Sequence, residues 1–196
     1  MSVALIKTAD ARPYALVESA LSPIDFSRFA SLKGEFEAEG LSQIELAAEA
    51  IWAARRGLDY LVKIGGCEAK SDVDYLQKLG IRSLVAPMIE SPFAMSKYMD
   101  MLPDGAFDHV GVTIETFHAV DRIEEILDAG TKLTAVTIGR SDLTASFGGS
   151  STNSPGLDDT SMILPSSRSG IWQPWNPARS LKVPHTRGKY QVSSSG

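Results

Sequence analysis

The chain has one cysteine, three histidines, no unbroken apolar stretch of membrane-spanning length and no surplus of positive charge. A single cysteine, Cys67, excludes an internal disulfide, and with no histidine near it in sequence a small packed thiol is a better reading than a nucleophile. Without a long apolar run or a basic-then-apolar leader, no membrane association is expected and the cytoplasm is the expected compartment. A formal charge of −5 and a pI near 5.2 argue against a surface that tracks nucleic-acid phosphates. No GxGxxG follows any apolar run, and no Lys-Ser/Thr follows Gly65-Gly66, so dinucleotide and P-loop chemistry lose their main signals. What is present, 43% hydrophobic and 22% charged residues over 196 positions, fits one sizeable core and a small-molecule partner.

Between Leu32 and Gly148 the sequence repeats one grammar: an apolar run, a capped amphipathic stretch, a glycine stop. Ser42 with Glu45 forms a capping-box pattern ahead of Ile44, Ala47, Ala48, Ile51 and Ala54 at helical spacing, and Gly57 ends it. Ser71 with Asp74 predicts the start of a second helix running to Gly80, Ser91-Pro92 a third, and Val120, Ile123, Ile126 and Leu127 mark a fourth. Strands are expected to begin near Lys33, Tyr60, Ser83, Val110 and Leu133, separated by 27, 23, 27 and 23 residues. That regularity predicts a parallel α/β sheet, either an open doubly wound sheet or a (β/α)8 TIM-type barrel.

From Gly149 the grammar stops. Pro165, Pro174, Pro177 and Pro184 lie among many serines without helical or alternating pattern, which predicts an irregular tail. After Asp159 there is no acidic residue, while Arg168, Arg179, Lys182, Arg187 and Lys189 contribute +5 against −10 for the rest. The shift predicts a boundary, with residues 1–160 as the barrel domain and 161–196 as the tail.

Two acidic residues stand just past apolar runs that read as buried strands. Glu115 follows His109-Val-Gly-Val-Thr-Ile114, and Asp142 follows Leu133-Thr-Ala-Val-Thr-Ile138-Gly-Arg-Ser. In a parallel fold both would leave the sheet at its carboxyl edge, an arrangement of oxygens that hard divalent cations take. The alternative for each is capping of the helix that follows, where the dipole welcomes a carboxylate.

Five segments occur in family order: Lys33-Gly-Glu-Phe-Glu-Ala-Glu-Gly40, Val62-Lys-Ile-Gly-Gly-Cys-Glu-Ala69, Ala86-Pro-Met-Ile-Glu-Ser91, Ile114-Glu-Thr116, and Ile138-Gly-Arg-Ser-Asp-Leu-Thr-Ala-Ser-Phe-Gly148. Together they resemble the HpcH/HpaI aldolase and citrate lyase family. The resemblance implies a TIM-type barrel of the phosphoenolpyruvate/pyruvate superfamily and a carbon–carbon lyase of the aldolase type. Such an enzyme acts on a small 2-oxo acid or related acyl substrate through an enolate stabilised by Mg²⁺ or Mn²⁺. By position, Glu115 and Asp142 match the metal ligands. Lys63 falls where many pyruvate aldolases carry an arginine, and a lysine supplies the charge without the bidentate fork. Glu35, Glu37 and Glu39 fall near the loop where aldolase members carry a base histidine, so Glu35 and Glu37 are the candidate bases here. Glu90, after Ala-Pro-Met-Ile, would orient the substrate or a water.

Five strands fall short of the eight a closed barrel needs, so the barrel is expected to be incomplete in this chain. Open edges and uncovered apolar surface would then predict a homo-oligomer. The alternative function is a catalytically inactive barrel remnant acting as a binding protein.

Overall fold

A computed structural model describes residues 11–37, 39–148, 180–182, 185–186 and 189–190. The chain divides into two compact units, one of Met1–Lys63, Asp74–Ser83 and Asn176–Gly196, the other of Ile64–Val73 and Leu84–Trp175.

In the first unit, helix α1 (Ala11–Leu21) and a 3₁₀ turn (Phe26–Arg28) precede strand β1 (Ser31–Glu35), helix α2 (Gln43–Ala54) and strand β2 (Asp59–Lys63). The Ser42–Glu45 capping box forms as the spacing predicts: the Ser42 side chain accepts from the Glu45 amide, and the Glu45 carboxylate accepts from the Ser42 amide at 2.9 Å. β1 and β2 pair in parallel, with Leu32 beside Tyr60, Gly34 beside Val62 and Glu35 beside Lys63. Because side chains alternate across a strand, this register sorts residues onto two faces. Leu32, Gly34, Tyr60 and Val62 are buried on the side of α2, where Tyr60 donates to the buried Glu49 carboxylate at 2.6 Å. A Cβ on Gly34 would sit 2.1 Å from the Tyr60 hydroxyl, so only glycine admits that pair. Lys33, Glu35, Asp59 and Lys63 occupy the opposite face, which is strongly charged. Helix α3 (Lys70–Leu79) begins one residue before Ser71, so Ser71 lies inside the helix rather than capping it.

The other outer neighbour of β1 is unexpected. Strand β6 (Ser180–Lys182), within the segment predicted as irregular, pairs in parallel with β1 and sets Lys182 beside Lys33. A short antiparallel pair, β7 (His185–Thr186) with β8 (Lys189–Tyr190), follows it. Strands of two or three residues are too short to show an alternating pattern. The remainder of the predicted tail, and residues 149–160 before it with the predicted boundary, lie outside the described residues.

In the second unit, strands β3 (Ser83–Ala86, entering at Leu84), β4 (His109–Ile114) and β5 (Ala135–Ile138) are neighbours in that order, and β4 pairs in parallel with β5. Helix α4 (Pro92–Met101) carries Ser91 as its cap and Pro92 in the first turn, as predicted. Tyr98 on α4 donates to the Gly111 carbonyl at 2.9 Å. The predicted fourth helix is divided: α5 (Phe117–Asp121) and α6 (Ile123–Asp128) meet at Arg122, whose φ of −117° and ψ of 22° break the helical run. Helix α7 (Arg140–Ser146) follows β5. Val112, Ile114, Met95, Tyr98 and Ile126 are fully or almost fully buried and form this unit's core.

Candidate active site

Glu115 stands one residue past β4 and is 2% exposed. Its capping alternative is answered by its neighbour: Thr116 is the residue that caps α5, accepting from the Ala119 amide at 3.2 Å. Glu115 instead points back over the sheet end. Its Oε1 accepts from the Met88 amide at 2.9 Å, across the loop that follows β3. Met88 adopts φ 52°, a left-handed conformation unusual for a side chain of that size, and it follows Pro87. The local strain thus turns a backbone donor toward a buried carboxylate.

Gly139 lies beneath the same carboxylate. A Cβ there would approach Glu115 Cβ to 2.7 Å and Oε2 to 2.8 Å, so any side chain at 139 must displace Glu115. Gly139 is also the residue before α7, and Asp142 lies in the first turn of that helix, exposed. The two acidic residues predicted as a pair are therefore carried by adjoining pieces of backbone, since Glu115 rests on the glycine that starts the helix bearing Asp142. Asp142 lies within the helix rather than in the loop before it. Among the described residues no group of three or more His, Cys, Asp or Glu converges as a metal-binding cluster. Two carboxylate oxygen donors, with other positions left to water and substrate, is the set Mg²⁺ favours, so the residues present fit that ion in kind.

Glu90 is exposed, two residues beyond Met88 in the same loop. The Gly65-Gly66 turn follows β2, and the Gly65 amide is taken by the Asp72 carboxylate at 2.8 Å, which closes the turn internally. Cys67 is a free, half-buried thiol, and His118 is exposed beside Phe117.

In the first unit, Glu35 is 1% exposed and sits between two lysines. Lys33 Nζ lies 2.6 Å from Oε1 and Lys63 Nζ 3.9 Å from Oε2. Both lysines keep a fraction of their side chains in contact with solvent, 20% for Lys33 and 15% for Lys63. Glu37, just past the strand, is exposed, and Glu39 is half-buried. The sequence reading of this cluster had not included Lys33, although its position two residues before Glu35 already placed it on the same face. Gly139 was likewise unassigned; its signal was a glycine directly after an apolar run, where close approach of backbone to a side chain is a standing possibility.

Repeated βα units with acidic and basic side chains at the carboxyl ends of parallel strands define an α/β chain of the TIM-barrel type, here with five such units among the described residues. The sequence model of the HpcH/HpaI aldolase/citrate lyase family matches residues 43–162, more than half of the chain. The protein belongs to that family, whose described activities are of the aldolase and lyase type.

Solved structures agree on the fold. An HpcH/HpaI aldolase/citrate lyase family protein from Burkholderia cenocepacia J2315 superposes with a TM-score of 0.61 at 19% identity, covering 78% of this chain and 69% of its own. The HpcH/HpaI aldolase from Desulfitobacterium hafniense DCB-2 gives 0.59 at 18% identity, with 76% and 66% covered. The citrate synthase SbnG gives 0.63 at 15% identity, again with 76% and 66% covered. The chain thus spans about two thirds of the length of these structures. No curated protein matches it.

Proposed function

We propose that the protein is a divalent-metal-dependent carbon–carbon lyase acting on a small 2-oxo acid or a related acyl substrate. The observation that carries this reading is Glu115: buried, excluded from capping by Thr116, and braced between the Met88 amide and bare Gly139. A buried carboxylate is costly to keep charged, and two such supports are a large investment of local structure for a residue that does no capping. With Asp142 it would hold Mg²⁺ or Mn²⁺. When bound, the cation supplies a Lewis acid that lets negative charge collect on the substrate carbonyl oxygen.

The protein's own groups divide the remaining work. Lys63 would meet negative charge on the substrate as it develops, which lowers the barrier to reaction more than equal binding of substrate and transition state would. Glu37, exposed beyond β1, is the better placed of the two candidate bases to take the hydroxyl proton of an aldol substrate. Glu35 would act beside it as the counter-charge of the two lysines. The electron pair of the broken C–C bond passes into the enolate, which regains a proton at carbon to give the 2-oxo acid. Glu90 would orient the departing part of the substrate. No helix among the described residues is long and apolar enough to cross a membrane; we place the enzyme in the cytoplasm, as a homo-oligomer with no nucleic-acid partner.

The test is pyruvate release from 2-oxo-4-hydroxy acids, and decarboxylation of oxaloacetate, in the presence of Mg²⁺ or Mn²⁺. Wild type should turn over, and Glu115→Gln and Asp142→Asn should each lose about two orders of magnitude or more, the scale of removing one essential electrostatic group. Equal rates in the three proteins would overturn the assignment and leave the inactive binding protein as the better reading.

A further inference from the structure

Among the described residues Met88 is the one non-glycine residue with a positive φ, and three ordinary explanations for a methionine there fail. The amide that Glu115 accepts is supplied by any residue except proline, so that hydrogen bond does not select the side chain. A left-handed backbone selects glycine or asparagine, and a larger side chain there costs free energy. Packing does not offset the cost, because Met88 is 52% exposed. Ala86 and Ile89, both fully buried, hold the chain on either side of it and leave Met88 facing out. A single exposed apolar side chain is ordinary on a protein surface. One carried on a strained backbone, with its own amide 2.9 Å from the buried carboxylate of the candidate site, is not.

We propose that the Met88 side chain determines substrate specificity: it receives an uncharged apolar group carried on C4 of a 2-oxo-4-hydroxy acid. Methionine is unbranched, polarisable and uncharged, so it offers adaptable contact to an aromatic or aliphatic group and nothing to a carboxylate. The inference deepens the lyase reading and rests on it for the reaction. In that reaction the C3–C4 bond breaks and the C4 hydroxyl gives its proton to the base. The bonding pair passes into the enolate, and protonation at C3 leaves pyruvate beside an apolar aldehyde. Met88 touches the part that departs as the aldehyde.

Binding is measured calorimetrically on the full chain with Mg²⁺, using three ligands that lack the C4 hydroxyl and so cannot undergo the cleavage. These are 2-oxobutanoate, 2-oxo-4-phenylbutanoate and 2-oxoglutarate, which differ only in bearing hydrogen, phenyl or carboxylate on C4. Wild type should bind the phenyl ligand about tenfold more tightly than either of the others. Met88→Gly keeps the amide and relaxes the backbone while deleting the side chain, and Met88→Asn accepts the same conformation with a polar group. In both variants the preference should fall to about twofold or less, and Met88→Leu should retain most of it, since an apolar side chain of similar volume remains. Met88→Gly should also melt within about 4 °C of wild type, because the fold does not use the side chain. A preference unchanged in the glycine and asparagine variants would overturn the proposal. So would a larger drop in the melting temperature of Met88→Gly, which would make the side chain a structural prop, or a change in its sedimentation coefficient, which would place Met88 in a contact between copies. Wild type that binds 2-oxobutanoate with no preference for the phenyl ligand overturns this inference alone. Wild type that binds none of the three overturns the proposed function and this inference with it.

Discussion

Glu115 illustrates how a residue can be separated from its most ordinary explanation. A carboxylate directly before a helix is usually there for the helix, yet Thr116 takes the cap and Glu115 is turned onto the Met88 amide and Gly139. A group held for function is expected to be neutral or harmful to stability. Glu115→Gln keeps an acceptor for Met88 and removes a buried charge, so thermal unfolding should show no loss of stability, while metal binding is abolished. A marked drop in melting temperature with intact metal binding would contradict the assignment. Gly139→Ala tests the same carboxylate from below. The added methyl meets Glu115 at 2.7 Å, so about 1–3 kcal/mol of stability should be lost with the overpacking, together with metal affinity. Calorimetric unfolding and a Mn²⁺ titration of the variant measure both.

At the level of elements, the capping signals are what the sequence displayed most clearly. The Ser42–Glu45 box and the Ser91-Pro92 start formed where their chemistry placed them, because each satisfies backbone groups locally and needs no tertiary help. Strand β4 occupies the apolar run His109–Ile114 without adjustment. Ser71 failed as a cap because the helix had already begun at Lys70, and the break at Arg122 has no side-chain cap to announce it. Helix α1 went unread because, among its described side chains, only Val17 and Leu21, four residues apart, are buried. Two predictions belong here. Thr116→Ala removes the α5 cap and should cost about 1 kcal/mol by denaturant unfolding. Tyr98 pins α4 to β4, and burial raises its hydroxyl well above the usual tyrosine range. A folded-state value above the unfolded one means that stability is fully present below about pH 10 and is lost as pH rises beyond it. Tyr98→Phe should therefore be less stable at neutral pH by about 1–3 kcal/mol, the Gly111 carbonyl having lost its donor, but should lose less stability between pH 9 and 11 than wild type. Parallel alkaline slopes in the two proteins would contradict this.

For the molecule as a whole, the periodic spacing of strand starts was enough to predict a parallel α/β chain, but it could not choose between an open sheet and a barrel. That choice came from the order of motifs and is met by family membership and by the superpositions. Of the candidate site, the proposed acidic pair was legible as carboxylates close behind apolar runs, Glu115 next after its strand and Asp142 in the first turn of the helix that follows the other. Lys33 shares a face with Glu35 by its spacing, but a strand lysine is ordinarily a solvated edge residue, and the 2.6 Å contact with a buried glutamate is visible only in the structure. All four β5 residues are half-buried and the Phe117–Phe147 ring pair, with centroids 4.9 Å apart, is exposed; self-association would cover apolar surface of this kind. Sedimentation velocity should accordingly find a homo-oligomer, and a monomer at every concentration would contradict that expectation. The proposed chemistry depends most on whether Glu115 and Asp142 hold one cation between them. Electron paramagnetic resonance of Mn²⁺ titrated into the protein measures this without requiring a substrate. The expected result is one tightly bound ion per chain in wild type, lost in both Glu115→Gln and Asp142→Asn; an unchanged bound fraction in either variant, or none in wild type, would contradict the shared site.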